Sequence, residues 1–134
     1  MKRIVLLVLF FITIHINVYS QQIMEVDFYK EISQNDTCIR FYSVNHFDIN
    51  DKDVWENLFE NLYNIVLIIP EENNNYENDP YYSSCNNIIF YCIDSNKDDM
   101  DKKMKNNQNI ICKFYYNTGE IVKNEKYIKN SLYK

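Results

Sequence analysis

NIIFYCIDSNKDDMDKKMKNNQNIICKFYYNTGEIVKNEKYIKNSLYK, residues Asn87–Lys134, decides the fold. Ile88 to Ile93 is a short apolar run without polar alternation, the pattern of a strand buried on both faces. In Lys97 to Asn106, Met100 and Met104 stand four apart and give one thin apolar edge to an otherwise solvated helix. Ile110 to Tyr116 reads as a second strand, Asn117-Thr118-Gly119 as a turn, and Ile121-Val122 as its returning partner. Gly119 is the chain's only glycine and stands where a hairpin loop wants positive φ. Tyr127, Ile128 and Leu132 allow a closing amphipathic helix.

Upstream, Ile65 to Ile69 is apolar without alternation and ends at Pro70, so it reads as a central parallel strand buried on both faces. Glu71 to Ser84 is acidic, rich in Asn and without hydrophobic period, the composition of a long surface loop. Asp51 to Tyr63 carries Val54, Leu58 and Leu62 every fourth residue, widened by Trp55, Phe59 and Tyr63; Asn50 and Asp51 are natural N-caps. At that spacing Trp55 belongs to a core face rather than to a ligand platform. Ile39 to Val44 is β-branched and aromatic, a strand. Residues 21–37 alternate briefly through Met24, Val26 and Phe28 and read as an extended N-terminal arm. Strands alternating with helices around buried central strands argue for an α/β sheet in one domain, residues 38–134.

Lys2 and Arg3 followed by an apolar run from Ile4 to Ile16 form a secretory leader, with Val18 and Ser20 flanking a cut before Gln21. The run falls short of the roughly 20 apolar residues of a spanning helix, so no membrane span is expected once it is removed. Cleavage leaves 114 of the 134 residues and takes the formal charge from −5 to −7. An acidic body argues against nucleic acid, which requires clustered cations. One glycine cannot build a phosphate-cradling loop or a dinucleotide fingerprint, and no cofactor is implied. Cys38, Cys85, Cys92 and Cys112 survive maturation, an even count that favours disulfides in an oxidising compartment and leaves three connectivities open. Their spacing, with His46 the one mature histidine, does not fit zinc. Asn35-Asp36-Thr37 is an N-glycosylation acceptor.

From Cys38 to Lys134, two crossovers, a terminal hairpin and a last helix resemble the thioredoxin order, with Asp94 closing a strand and an Asn-Thr-Gly-Glu turn behind it. The resemblance implies a thioredoxin-like mixed sheet flanked by helices, of the non-catalytic disulfide-isomerase type. The Cys-x-x-Cys is absent, the place of the cis-proline is taken by Ile111, and no buried acid stands in Ile65–Ile69. In that order, the strands beginning near Ile39 and Ile88 lie side by side, which implies a Cys38–Cys85 disulfide. It also implies that Cys92 and Cys112 sit on strands separated by a third, about 9.6 Å apart and beyond bridging, hence reduced and buried.

Function follows less sharply. The leading reading is a secreted, redox-inactive module that binds a protein or peptide, with Tyr76, Tyr81 and Tyr82 on the acidic loop as candidate contacts. The alternatives are a thiol oxidoreductase with Cys112 as nucleophile and a small disulfide-stabilised secreted effector of another fold. Asp94-x-Asn96-x-Asp98 imitates a calcium loop, but Asp99 and Lys105 stand where glycine and glutamate are required. His46 has no nucleophile beside it, and Glu71-Glu72 read as solubilising.

Overall fold

A two-residue turn at Asn35-Asp36 starts the architecture. Asn35 takes φ 54°, the positive value that asparagine tolerates in tight hairpins. It joins β1 (Glu25–Gln34) to β2 (Thr37–Asn45) in an antiparallel pair running from Glu25↔Asn45 to Gln34↔Thr37. The segment expected as an extended N-terminal arm therefore carries the first strand of the sheet. The computed structural model describes residues 22–69 and 79–132, so the leader and Glu71–Glu77 lie outside the described residues. After β2 the order is α1 (Val54–Tyr63), β3 (Asn87–Asp94), α2 (Met100–Lys103), β4 (Ile110–Tyr115), β5 (Glu120–Lys123) and α3 (Glu125–Leu132).

The five strands lie in the sheet in chain order. β2 and β3 pair in parallel from Thr37↔Asn87 to Val44↔Asp94, and the remaining pairs are antiparallel. Strand alternation sends Tyr42, Val44, Ile88, Phe90, Cys92, Cys112 and Phe114 to one buried face. α1 covers it with Leu58 and Leu62, both fully buried and each worth about 1.5–3 kcal/mol of transfer free energy, and buries Val54 at its start. Tyr127 of α3 completes that core. A β-bulge offsets β4 after Cys112↔Cys92 so that Ile93 pairs with Ile110; Ile111 is the extra residue, and both it and Cys112 are buried. The hairpin β4–β5 turns through Gly119 at φ 74°, as the sequence requires. An added Cβ there would also meet the Tyr63 hydroxyl at 2.6 Å.

Three expectations are corrected. Ile65–Ile69 is not a central strand: β3 pairs directly with β4, and the segment makes one isolated parallel bridge, Ile68↔Tyr82. Leu67 is buried while Val66 is 73% and Ile68 51% exposed, so one face is covered and the other is wet. The backbone is satisfied locally instead, by Ile68 N–H to Tyr81 O at 2.7 Å, Ser83 N–H to Ile68 O at 3.1 Å and Leu67 N–H to the Tyr116 hydroxyl at 3.1 Å. The expected Lys97–Asn106 helix is a 3₁₀ turn at Lys97–Asp99 followed by the single turn of α2, because only Met100 anchors it fully. Asn96 caps that turn, accepting the Asp99 N–H at 2.9 Å. Finally, α1 begins at Val54 rather than Asp51, whose carboxylate holds the Asp53 N–H at 3.0 Å in the preceding turn.

Candidate functional site

Thiol chemistry needs an accessible cysteine that can ionise, and the four cysteines divide cleanly on that criterion. Cys38 is the second residue of β2, Cys85 precedes β3, and the parallel pairing brings them to the same end of the sheet. They form a disulfide with Cα atoms 5.5 Å apart, the pair that the thioredoxin order implies. Cys92 and Cys112 were expected two strands apart. With no strand between β3 and β4 they face each other across one antiparallel step. Both are free and fully buried. The hydrogen bond to Cys112 and burial together push the Cys92 thiol well above its ordinary value. Cys112, the candidate nucleophile, has no exposed surface, and its register partner on β5 is Lys123. The Lys113 ammonium stands over the Tyr91 ring, 4.8 Å from its centroid.

Sequence reasoning missed the most heavily bonded side chain. Arg40 reads in IRFYSV as an ordinary strand residue, yet it is 0% exposed. Its Nη1 donates to Glu31 Oε2 and to the Tyr82 carbonyl, both at 2.7 Å. Nη2 donates to the Pro80 carbonyl at 2.8 Å and the Asp79 carbonyl at 3.2 Å, and Nε reaches the Tyr42 hydroxyl at 3.3 Å. Phe28 lies against the guanidinium, 4.1 Å from Cζ to the ring centroid. Glu31 Oε1 accepts from Ser84 N–H and Oγ, each at 3.3 Å. Arg40 and Glu31 thus fasten residues 79–84 to the sheet.

That fastening presents one of the expected tyrosines. Tyr81 is 65% exposed. It lines a cleft of ≈ 540 Å³ with Val26, Phe28, Ile65, Val66 and Pro80. Tyr82 is half-buried, with its carbonyl held by Arg40. Tyr76 lies outside the described residues. Asn35 is exposed at the hairpin tip, and Thr37 Oγ1 accepts from Asn87 Nδ2 at 3.1 Å.

The calcium-like triplet is occupied otherwise. Asp94 accepts the Tyr127 hydroxyl at 2.9 Å, and Asn96 serves as the cap already described. Among the described residues no group of three or more His, Cys, Asp or Glu is placed to hold a metal ion. His46 is exposed in the loop after β2 with φ 61°. Among the described residues no helix is long and apolar enough to cross a membrane. No protein-family model, curated protein or solved structure matches the chain.

Proposed function

We propose that the mature chain is a redox-inactive module of the secretory pathway that binds an extended peptide or a protein segment at the Tyr81 cleft. The observation that carries this reading is the exposed pair Val66 and Tyr81 lining a cleft held by the buried Arg40 clamp. Large apolar side chains kept in water beside a rigid backbone suit recognition, since little ordering is required on contact. Secretion is supported by the leader pattern of residues 1–20 and by a disulfide, which persists in oxidising compartments.

A thioredoxin-like relationship is supported by the parallel β2–β3 pair and by the β3–β4–β5 meander followed by α3. The second reading, a small disulfide-stabilised effector of another fold, is favoured by the direct β3–β4 pairing, which leaves no place for the family's central strand.

Peptides selected on the wild-type domain from a displayed library test the binding reading. Tyr81→Ala and Val66→Asp should each weaken the selected peptides by on the order of tenfold, as loss of a contact worth about 1.4 kcal/mol requires. Undiminished binding by both variants would move the site elsewhere. Insulin reduction by the same preparation should show no turnover. Turnover that disappears on Cys112→Ser would establish the oxidoreductase instead.

A further inference from the structure

The core thiols carry an inference that does not depend on the binding reading. Cys92 and Cys112 are register partners on adjacent antiparallel strands, in one buried cluster beneath α1 and α3. The phase of the ladder follows from one bond. Tyr116 N–H donates to Ile88 O at 3.1 Å, one of the two bonds of a hydrogen-bonded pair, while at this strand end the Ile88 N–H goes to Asn117 Oδ1 at 3.0 Å. Stepping in twos along the register, Phe90↔Phe114 and then Cys92↔Cys112 fall in the same class. Hydrogen-bonded pairs hold their Cα atoms about 5.5 Å apart, within the span of disulfides. Their Cβ atoms stand up to about 5.5 Å apart against the roughly 3.5–4.5 Å of a disulfide, so closure draws on local give in the backbone. Alternation sends both Cβ atoms to the same face, and the bulge at Ile111 frees the backbone beside Cys112 from strict pairing.

We propose that Cys92 and Cys112 form a second, cross-strand disulfide when the chain folds in the presence of a small-molecule disulfide such as oxidised glutathione. One thiolate attacks a sulfur of the small disulfide and displaces one small thiolate, giving a mixed disulfide on the protein. The second cysteine, deprotonated, attacks the protein sulfur of that intermediate and releases the other small thiol. Two protein thiols lose two electrons and two protons, and one small disulfide becomes two thiols. Because both side chains have no exposed surface, the first attack occurs before the β3–β4 ladder closes. A chain already folded with these thiols reduced is protected from the same reagent. The cross-link is thus set at folding.

The test begins with the fully reduced, unfolded chain, refolded in a mixture of reduced and oxidised glutathione. It is then unfolded in urea without reductant, alkylated, digested and mapped by mass spectrometry. No alkylated cysteine and two joined pairs, Cys38–Cys85 and Cys92–Cys112, are expected. Alkylation of both Cys92 and Cys112 would overturn the proposal. Cys92→Ser, refolded in the same way, should leave Cys112 as one alkylatable thiol with Cys38–Cys85 intact. Cys112 joined to Cys38 or Cys85 in that variant would overturn the register on which the proposal stands. Reduced, folded chain offered oxidised glutathione without denaturant should keep both thiols far longer than the refolding chain does. Equal rates would refute closure at folding.

Discussion

A guanidinium with no exposed surface is costly unless its donors find acceptors, and at Arg40 three nitrogens meet one carboxylate, three carbonyls and a phenol. No neutral side chain of similar size replaces that fork. Arg40→Met should lower unfolding stability by on the order of 3–5 kcal/mol, because the Glu31 carboxylate and the carbonyls of residues 79, 80 and 82 lose their donor. Arg40→Lys should recover only part of the loss, since an ammonium cannot span the same acceptors. Urea midpoints of the three proteins decide it. A variant within 1 kcal/mol of wild type, roughly the value of an exposed pair, would show that the clamp contributes little. Nothing near Arg40 in sequence announces this role. Apart from Tyr42, two residues on, its partners lie 9 to 42 residues away, and three of the five supply only a backbone oxygen, which carries no signature in a sequence.

At the scale of elements, the readable strands were those whose neighbours agree with them. Ile39–Val44, Ile88–Ile93 and Ile110–Tyr116 appear as β2, β3 and β4 with shifts of one or two residues, and Gly119 marks the hairpin. Ile65–Ile69 deceived because five apolar residues in a row hide the alternation of a half-covered strand. Burial follows Leu67 and exposure follows Val66 and Ile68, a distinction carried by tertiary placement alone. Tyr81 was legible as an exposed tyrosine on a polar loop; the cleft beside it was not, because β1 supplies one wall. α3 shows how a short helix is fixed: buried Tyr127 donates to Asp94 at the end of β3. Burial, and then the Asp94 charge, raise the Tyr127 phenol above its ordinary value of 10.0. The unfolded chain therefore releases this proton first as pH rises past about 10, and binds fewer protons than the folded chain. Stability from this group is complete below about pH 10 and falls above it. Tyr127→Phe should cost about 1.5–3 kcal/mol near neutrality, the value of a hydrogen bond to a charged group. Its alkaline decline should be shallower. Tyr42, raised chiefly by burial, keeps part of the slope. Urea titrations at about pH 8 and about pH 11 measure both effects, and an unchanged alkaline slope would remove Tyr127 from the account.

The whole molecule is a chain-ordered sheet with one parallel step, and the Cys38–Cys85 disulfide closes the crossover that makes that step. With its ends 47 positions apart in sequence, the chain-entropy model assigns the bridge about 4 kcal/mol. Cys38→Ser/Cys85→Ser should lose on the order of that amount in urea, and a dithiol reductant should do the same to wild-type chain whose Cys92 and Cys112 are already thiols. A loss under about 1 kcal/mol would mean that the unfolded chain already keeps the crossover compact. The same bridge decides how the protein responds to tension between its ends. A pull on β1 acts first on Glu25↔Asn45, at the end of the hairpin remote from its turn, so β1 peels from β2 one bond at a time. At Cys38 the force passes through sulfur to Cys85, and the crossover with α1, 47 steps along the chain, never enters the stretched contour. At ~3.4 Å per extended residue, roughly 160 Å of chain stays hidden until a reductant cuts the bond, so the redox state of its surroundings sets how far this protein can be drawn out.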